Sequence, residues 1–126
     1  MADITFYKCK KCANFVATIE EGPCTPQCCG EPMEKLVAGS VDAAVEKHVP
    51  QVVREGGRIN VTVGEVAHPM IEAHYIEWIA LVGDGRLEMR KLKPGEEPKV
   101  SFACDGTENV TIFAYCNLHG LWKAEV

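Results

Sequence analysis

Apolar and polar residues alternate over short stretches of this chain, and only one stretch hints at a helical turn. Alternation with a period of two marks a strand with one buried face. From 74 to 82, His74, Ile76, Trp78, Ala80 and Val82 share one face, and Tyr75, Glu77, Ile79 and Leu81 share the other. Gln51–Glu55 and Arg58–Val63 flank Gly56-Gly57, which is a hairpin signal. Gly83-Asp84-Gly85 turns the chain into Arg86–Leu92, and Lys93–Pro98 is a polar loop. Val100–Ala103 and Asn109–Cys116 read as a strand pair around Asp105-Gly106, with Leu121–Val126 as an edge strand. The helical turn is expected around Val41–Lys47. Short strands with frequent turn signals predict a mainly β chain folded as a sandwich.

The cysteines break this uniform picture. Cys9, Cys12, Cys24, Cys28 and Cys29 fall in the first 29 residues, whereas Cys104, Cys116 and all four histidines come later. That shift predicts a domain boundary around Leu36-Val37-Ala38-Gly39-Ser40, giving domains 1–37 and 38–126. A segment shorter than about 40 residues rarely buries enough apolar surface to fold without a staple. The seven cysteines are an odd number, so they cannot all pair within one chain. Without an export signal, metal ligation is the better reading of them.

Composition narrows the class further. The 126 residues are 47% hydrophobic and 25% charged, which is globular composition. No apolar run approaches the roughly 20 residues of a membrane span. The start, Met1-Ala2-Asp3-Ile4-Thr5-Phe6, lacks the pattern of a secretory signal, so a cytoplasmic location is expected. A net charge of −5 argues against nucleic acid as a main partner.

Two candidate metal sites emerge. In the first, Cys9-x-x-Cys12 and Cys28-Cys29 offer four thiolates from two chain segments, which suits a tetrahedral ion. Adjacent side chains of an extended segment point opposite ways, so Cys28 and Cys29 share an ion only if the backbone bends sharply. Gly30 follows and permits such a bend. The spacing suits zinc as well as iron, and Cys24-x-x-x-Cys28 is an alternative pairing of ligands.

The second candidate combines His48, His68, His74, His119 and Cys116. His48 comes just before Val49-Pro50 and His68 directly before Pro69, and residues ahead of proline are held extended. His74 opens the apolar face of its predicted strand, so its ring should point inward. Cys116 shares a face with Val110, Ile112 and Ala114. Cys116-Asn117-Leu118-His119-Gly120 is a compact chelating turn, in which the N–H groups of Asn117 and Leu118 are expected to donate to the sulfur. A structural zinc site would use four ligands, and here there are five. A blue-copper site would place a methionine soon after the last histidine, and residues 120–126 contain none. Four imidazoles and one thiolate suit a five-coordinate divalent iron.

These motifs together resemble the desulfoferrodoxin family, the two-iron class of superoxide reductase. The resemblance rests on Cys9-x-x-Cys12 with Cys28-Cys29, Glu46-Lys47-His48-Val49-Pro50, His68-Pro69-Met70, His74-Tyr75-Ile76-x-Trp78-Ile79 and Cys116-Asn117-x-His119-Gly120-x-Trp122, in order over nearly the whole chain. It implies a small desulforedoxin-like N-terminal domain holding iron on Cys9, Cys12, Cys28 and Cys29. It also implies an immunoglobulin-like C-terminal β-sandwich holding iron on His48, His68, His74, His119 and Cys116. Two mononuclear non-haem iron ions, Fe(Cys)4 and Fe(His)4(Cys), are thus expected. The implied activity is one-electron reduction of superoxide to hydrogen peroxide, with Lys47 attracting the anion and Glu46 assisting product release. A rubredoxin-type electron donor and a homodimer are the implied partners. Cys24 and Cys104 have no counterpart among the family's ligands.

Overall fold

The computed structural model describes residues 4–40, 43, 45–66, 68–83, 85–104 and 109–126, with Glu46 described in its backbone only. The chain forms two compact units, Ala2–Val37 and Ala38–Val126 with Met1.

The small unit contains strands that its sequence pattern does not announce. β1 (Thr5–Lys8), β2 (Phe15–Thr18), β3 (Gln27–Cys28), β4 (Glu31–Pro32) and β5 (Glu34–Lys35) form a three-stranded sheet, ordered β2-β1-β5, and a separate β3-β4 hairpin. The strands are two to four residues long, too short for alternation to register. Tyr7, Cys9 and Met33 are buried together, with Val16 and Cys28 packed against them.

The large unit is a sandwich. A short helix α1 (Val45–His48) precedes β6 (Pro50–Glu55), β7 (Arg58–Val63), β8 (Ile76–Gly83), β9 (Arg86–Lys91), β10 (Lys99–Ala103), β11 (Thr111–Cys116) and β12 (Gly120–Glu125). One sheet is ordered β10-β7-β6 and the other β12-β11-β8-β9. The β6–β7 turn has positive φ at both Gly56 (57°) and Gly57 (76°), which matches the twist of a two-residue hairpin. Ile59, Val61 and Val63 of β7 and Val100 and Phe102 of β10 face Ile76, Ile79 and Leu81 of β8 and Ile112, Ala114 and Cys116 of β11 in one core. Cys104 lies in that core.

Three expectations need correction. The strand expected from His74 begins at Ile76, and its alternation is broken by a bulge. Ala114 faces Ile79 and Ile112 faces Leu81, but Cys116 faces Ile76, so Glu77 is an extra residue on β8. Unbroken register would set the Glu77 carboxylate against Cys116 on the core face, where an unpaired charge is costly. The bulge puts Ile76 there instead. The second correction concerns β10 and β11, which do not pair with each other. β10 pairs with β7 and β11 with β8 and β12, because each completes a different layer of the sandwich. Asp105-Gly106, the expected turn between them, lies outside the described residues, as does Asp84. Third, the helical turn covers Val45–His48, so His48 is helical rather than extended. It stands two residues before Pro50, so the restriction falls on Val49. Val41, Asp42 and Ala44 lie outside the described residues.

Candidate metal centres

In the small unit, the backbone folds each cysteine pair into a tight turn. Cys9 N–H donates to Asn14 O (2.8 Å) and Ala13 N–H to Cys9 O (3.1 Å), closing a loop around Cys9-Lys10-Lys11-Cys12. The N–H groups of Lys11 and Cys12 both point at Cys9 Sγ, at 3.4 Å each. The bend demanded of Cys28-Cys29 is made by Cys29 itself. Its φ is 55° and that of Gly30 is 77°, so these two residues form the turn of the β3–β4 hairpin. Cys29 therefore leaves the strand direction and turns back beside Cys28.

The four sulfurs of Cys9, Cys12, Cys28 and Cys29 lie within 4.8 Å of one another. Cys12 Sγ is 3.5 Å from Cys28 Sγ, and Cys28 Sγ is 4.0 Å from Cys29 Sγ. Sulfurs about 2.3 Å from a tetrahedral ion are separated by about 3.8 Å, so the spacing fits. The charges fit too. Hydrogen bonds from the Cys12 and Lys11 N–H groups pull the Cys9 thiol down to about 6. The nearby Cys12 and Cys9 side chains push Cys29 up to about 12 and raise Cys28. Without a cation, one thiolate is favoured at the expense of its neighbours; a bound ion makes all four compatible. Cys24 is exposed and outside this cluster.

In the large unit, five side chains from four places converge at one end of the core. His48 closes α1, and His68 and His74 lie between β7 and β8. Cys116 ends β11, and His119 lies in the turn before β12. Neighbouring imidazoles meet edge-on, at interplanar angles of 74–84°. Their centroids are 4.7 Å apart for His48–His68 and His68–His74, 5.0 Å for His74–His119 and 4.9 Å for His48–His119. The His48–His74 diagonal is 6.4 Å, only a little short of a flat square with those sides. His48, His68, His74 and Cys116 offer ligand atoms within 4.8 Å of one another. His119 joins them through Nδ1, 3.1 Å from His48 Nε2 and 3.9 Å from Cys116 Sγ.

Each ring is aimed by what lies behind it. His68 Nδ1–H donates to Pro69 O (2.7 Å), which leaves Nε2 as the free lone pair. The Nε2 atoms of His68 and His74 are buried without a hydrogen-bond partner. Buried polar atoms are rarely left so, and a metal ion is the simplest partner for two lone pairs pointing at one spot. Trp122 stacks on His48 at 5.0 Å, and its Nε1–H donates to His119 O (3.0 Å). Burial pulls His68 down to about 4 and lowers His74, with the other imidazoles adding to both shifts. These rings are therefore neutral near pH 7, the form that ligates metals.

Cys116 is fully buried, whereas His74 and His119 retain exposure. The thiol thus approaches from the interior. Burial raises it, while the N–H groups of Leu118 and His119 donate to the sulfur and lower it. Leu118 was expected in that role, but the Asn117 N–H goes instead to Tyr75 O (3.2 Å), because β11 extends toward β8 there. The sequence pattern missed the His119 N–H as a sulfur donor. Lys47 is exposed, and its charge helps lower His74, so the ammonium lies within electrostatic reach of the imidazoles. The side chain of Glu46 lies outside the described residues.

Known proteins resemble this chain over nearly its whole length. The desulfoferrodoxin N-terminal domain matches residues 2–36, and the main desulfoferrodoxin domain matches residues 40–125. The chain belongs to the desulfoferrodoxin family. A desulfoferrodoxin from Nitratidesulfovibrio vulgaris is 49% identical over 119 residues, covering 94% of either chain. The crystal structure of a superoxide reductase from Treponema pallidum superposes with a TM-score of 0.81 at 32% identity, covering 96% of this chain and 98% of that one. A one-iron superoxide reductase from Giardia intestinalis matches 64% of this chain and 97% of its own, with a TM-score of 0.58 and 33% identity. With both desulfoferrodoxin domains matched, the two clusters fit two iron centres, Fe(Cys)4 and Fe(His)4(Cys). Among the described residues, no helix is long and apolar enough to cross a membrane.

Proposed function

We propose that the protein is a cytoplasmic superoxide reductase, which reduces superoxide by one electron to hydrogen peroxide at the histidine–cysteine centre. The observation that carries this reading is the square of four imidazoles with a buried thiol reaching it from the core. His48, His68, His74, His119 and Cys116 are assigned as the ligands. A ferrous ion held there supplies the single electron that superoxide requires, under the push of an electron-rich thiolate.

The chain's own residues do the rest. Hydrogen bonds from the Leu118 and His119 N–H groups temper the charge on Cys116 Sγ. Burial keeps the His68 and His74 rings neutral. Lys47 gives the approach a positive field on a chain of net charge −5, which draws in the anionic substrate and then meets the charge on the product. Glu46, its neighbour on α1, is assigned to product release. Superoxide gains one electron and two protons and leaves as hydrogen peroxide. Solvent at the half-buried His74 and His119 side supplies the protons, and an external rubredoxin-type donor replaces the electron.

Domain 1–37, with Cys9, Cys12, Cys28 and Cys29 as ligands, takes a structural and auxiliary redox role, and the protein works as a homodimer. The Giardia relative supports placing the chemistry in domain 38–126, since nearly all of that superoxide reductase matches 64% of this chain, a stretch too long for domain 1–37 alone. The test is to reduce the iron-loaded protein fully, pulse it with superoxide, and follow peroxide and the second centre's absorption. One peroxide and one oxidised second-centre iron per superoxide, without oxygen release, is the expected result. Oxygen release, or a second centre that stays ferrous, would overturn the reading.

A further inference from the structure

We infer that Asn117 is a positioning residue for the histidine–cysteine centre, holding the backbone of His74 in place relative to Cys116 and His119. The proposal rests on the metal-site reading above and deepens it.

His74 lies on an exposed excursion between β7 and β8, outside any regular strand or helix. Ile71, Glu72 and Ala73 before it are exposed, and β8 starts two residues after it. A ring there needs some other restraint, because loop backbone is the least rigid part of a fold. The hydrogen bonds supply it. His74 N–H donates to Ile71 O (3.0 Å), and His74 O accepts from Ile71 N–H (3.1 Å). Three of the flanking backbone groups go to Asn117. Its Nδ2 donates to Ala73 O (3.1 Å), its Oδ1 accepts from Tyr75 N–H (2.9 Å), and its backbone N–H donates to Tyr75 O (3.2 Å).

The residue type suits the task. A primary amide carries one acceptor and one donor group on a short planar side chain. Here the acceptor meets a peptide N–H on one side of His74 and the donor meets a peptide C=O on the other. Aspartate lacks the donor, alanine lacks both, and glutamine is one methylene longer. Asn117 also stands between two ligands, one residue after Cys116 and two before His119. The four-residue segment Cys116–His119 thus carries two ligands and sets the backbone of a third. The side-chain hydrogen bonds of Asn117 go to the backbone on either side of His74 and not to a ligand atom, so it acts through His74.

The experiment compares iron release to a chelator from the second centre of wild-type protein, Asn117→Ala, His74→Ala and the double variant. The cysteine centre serves as an internal control within each sample. Loss of groups that orient a metal ligand typically weakens binding by roughly 10–100-fold. Asn117→Ala is therefore expected to speed release by roughly that factor in the wild-type background, and by less than about twofold once His74 is gone. Asn117→Asp, which keeps the acceptor to Tyr75 N–H, should fall between wild type and Asn117→Ala, and stands in if the alanine variant fails to fold. Iron release unchanged by either substitution would overturn the proposal. So would an equal acceleration with and without His74, since that is the mark of general loosening. A wild-type protein that never loads iron at the second centre would overturn the metal-site reading itself.

Discussion

In residues 2–37 the buried cluster is Tyr7, Cys9 and Met33, with Val16 and Cys28 against it. Two of those five side chains are candidate metal ligands. In residues 38–126 the core runs across two sheets, and only Cys116 among its members belongs to the metal cluster. The same task, presenting soft donors to one cation, is thus met in two ways. In the small unit the ion stands in for a core that 36 residues cannot supply. In the large unit a dry core exists first, and the histidines sit at its end. Its centre is preorganised: buried lone pairs on His68 and His74 already converge.

The sharpest way to break this comparison is to remove the metal. Stripping both ions should unfold residues 2–37 entirely, since ions of this kind contribute on the order of 10 kcal/mol to small cysteine-ligated folds. The sandwich should keep its hydrogen-exchange protection. Joint unfolding of both units would refute the contrast. A converse perturbation is Ile79→Ala, which cuts into the fully buried centre of β8. It should destabilise the sandwich by about 2–5 kcal/mol in chemical denaturation, leaving the absorption of the cysteine centre unchanged.

Substituting Lys47→Ile should slow the reaction with superoxide by roughly tenfold and flatten its dependence on ionic strength. Stopped-flow or pulse-radiolysis rates at several salt concentrations would measure this. The cysteine centre should keep its spectrum and its iron. An unchanged rate and salt slope would remove the steering role.

Acidity should act on the preorganised centre in a defined direction. In the unfolded chain His68 takes up its proton near 6.5, but in the folded state burial holds it down to about 4. Between those values the unfolded state binds more protons, so stability rises with pH. The metal-free sandwich should therefore lose stability as pH falls from about 6.5 toward 4, and His68→Gln should remove part of that slope. The smallest effect is expected from Cys24→Ser. Cys24 is exposed and stands apart from the four-sulfur cluster, so iron stoichiometry should hold and stability should change by no more than about 0.5 kcal/mol. Loss of one iron would restore the alternative ligand pairing through Cys24.

Much of this protein was legible as sequence because its informative residues are scarce and local. Cys9-x-x-Cys12, Cys28-Cys29 and Cys116-x-x-His119 place ligands on turns of a few residues, where spacing alone decides what one ion can reach. The β6–β7 hairpin was equally local, since Gly56-Gly57 and the alternation beside it specify the turn. The short strands of residues 2–37 escaped notice because two to four residues are too few to show a period.

Only the tertiary structure decided what depends on distant partners. The bulge at Glu77 sets Ile76 rather than Glu77 across from Cys116, a fact that residues 74–82 do not carry. The parting of β10 from β11 follows from which sheet each completes, and tertiary pairing overrides proximity in the chain. The square of imidazoles joins α1, a loop, a bridge and a turn that lie up to 71 residues apart. Residue types set which metal chemistry was available to this chain. Packing of the two sheets decided where the ligands meet, because side-chain direction beyond the nearest turn is set by the core that each backbone segment must cover.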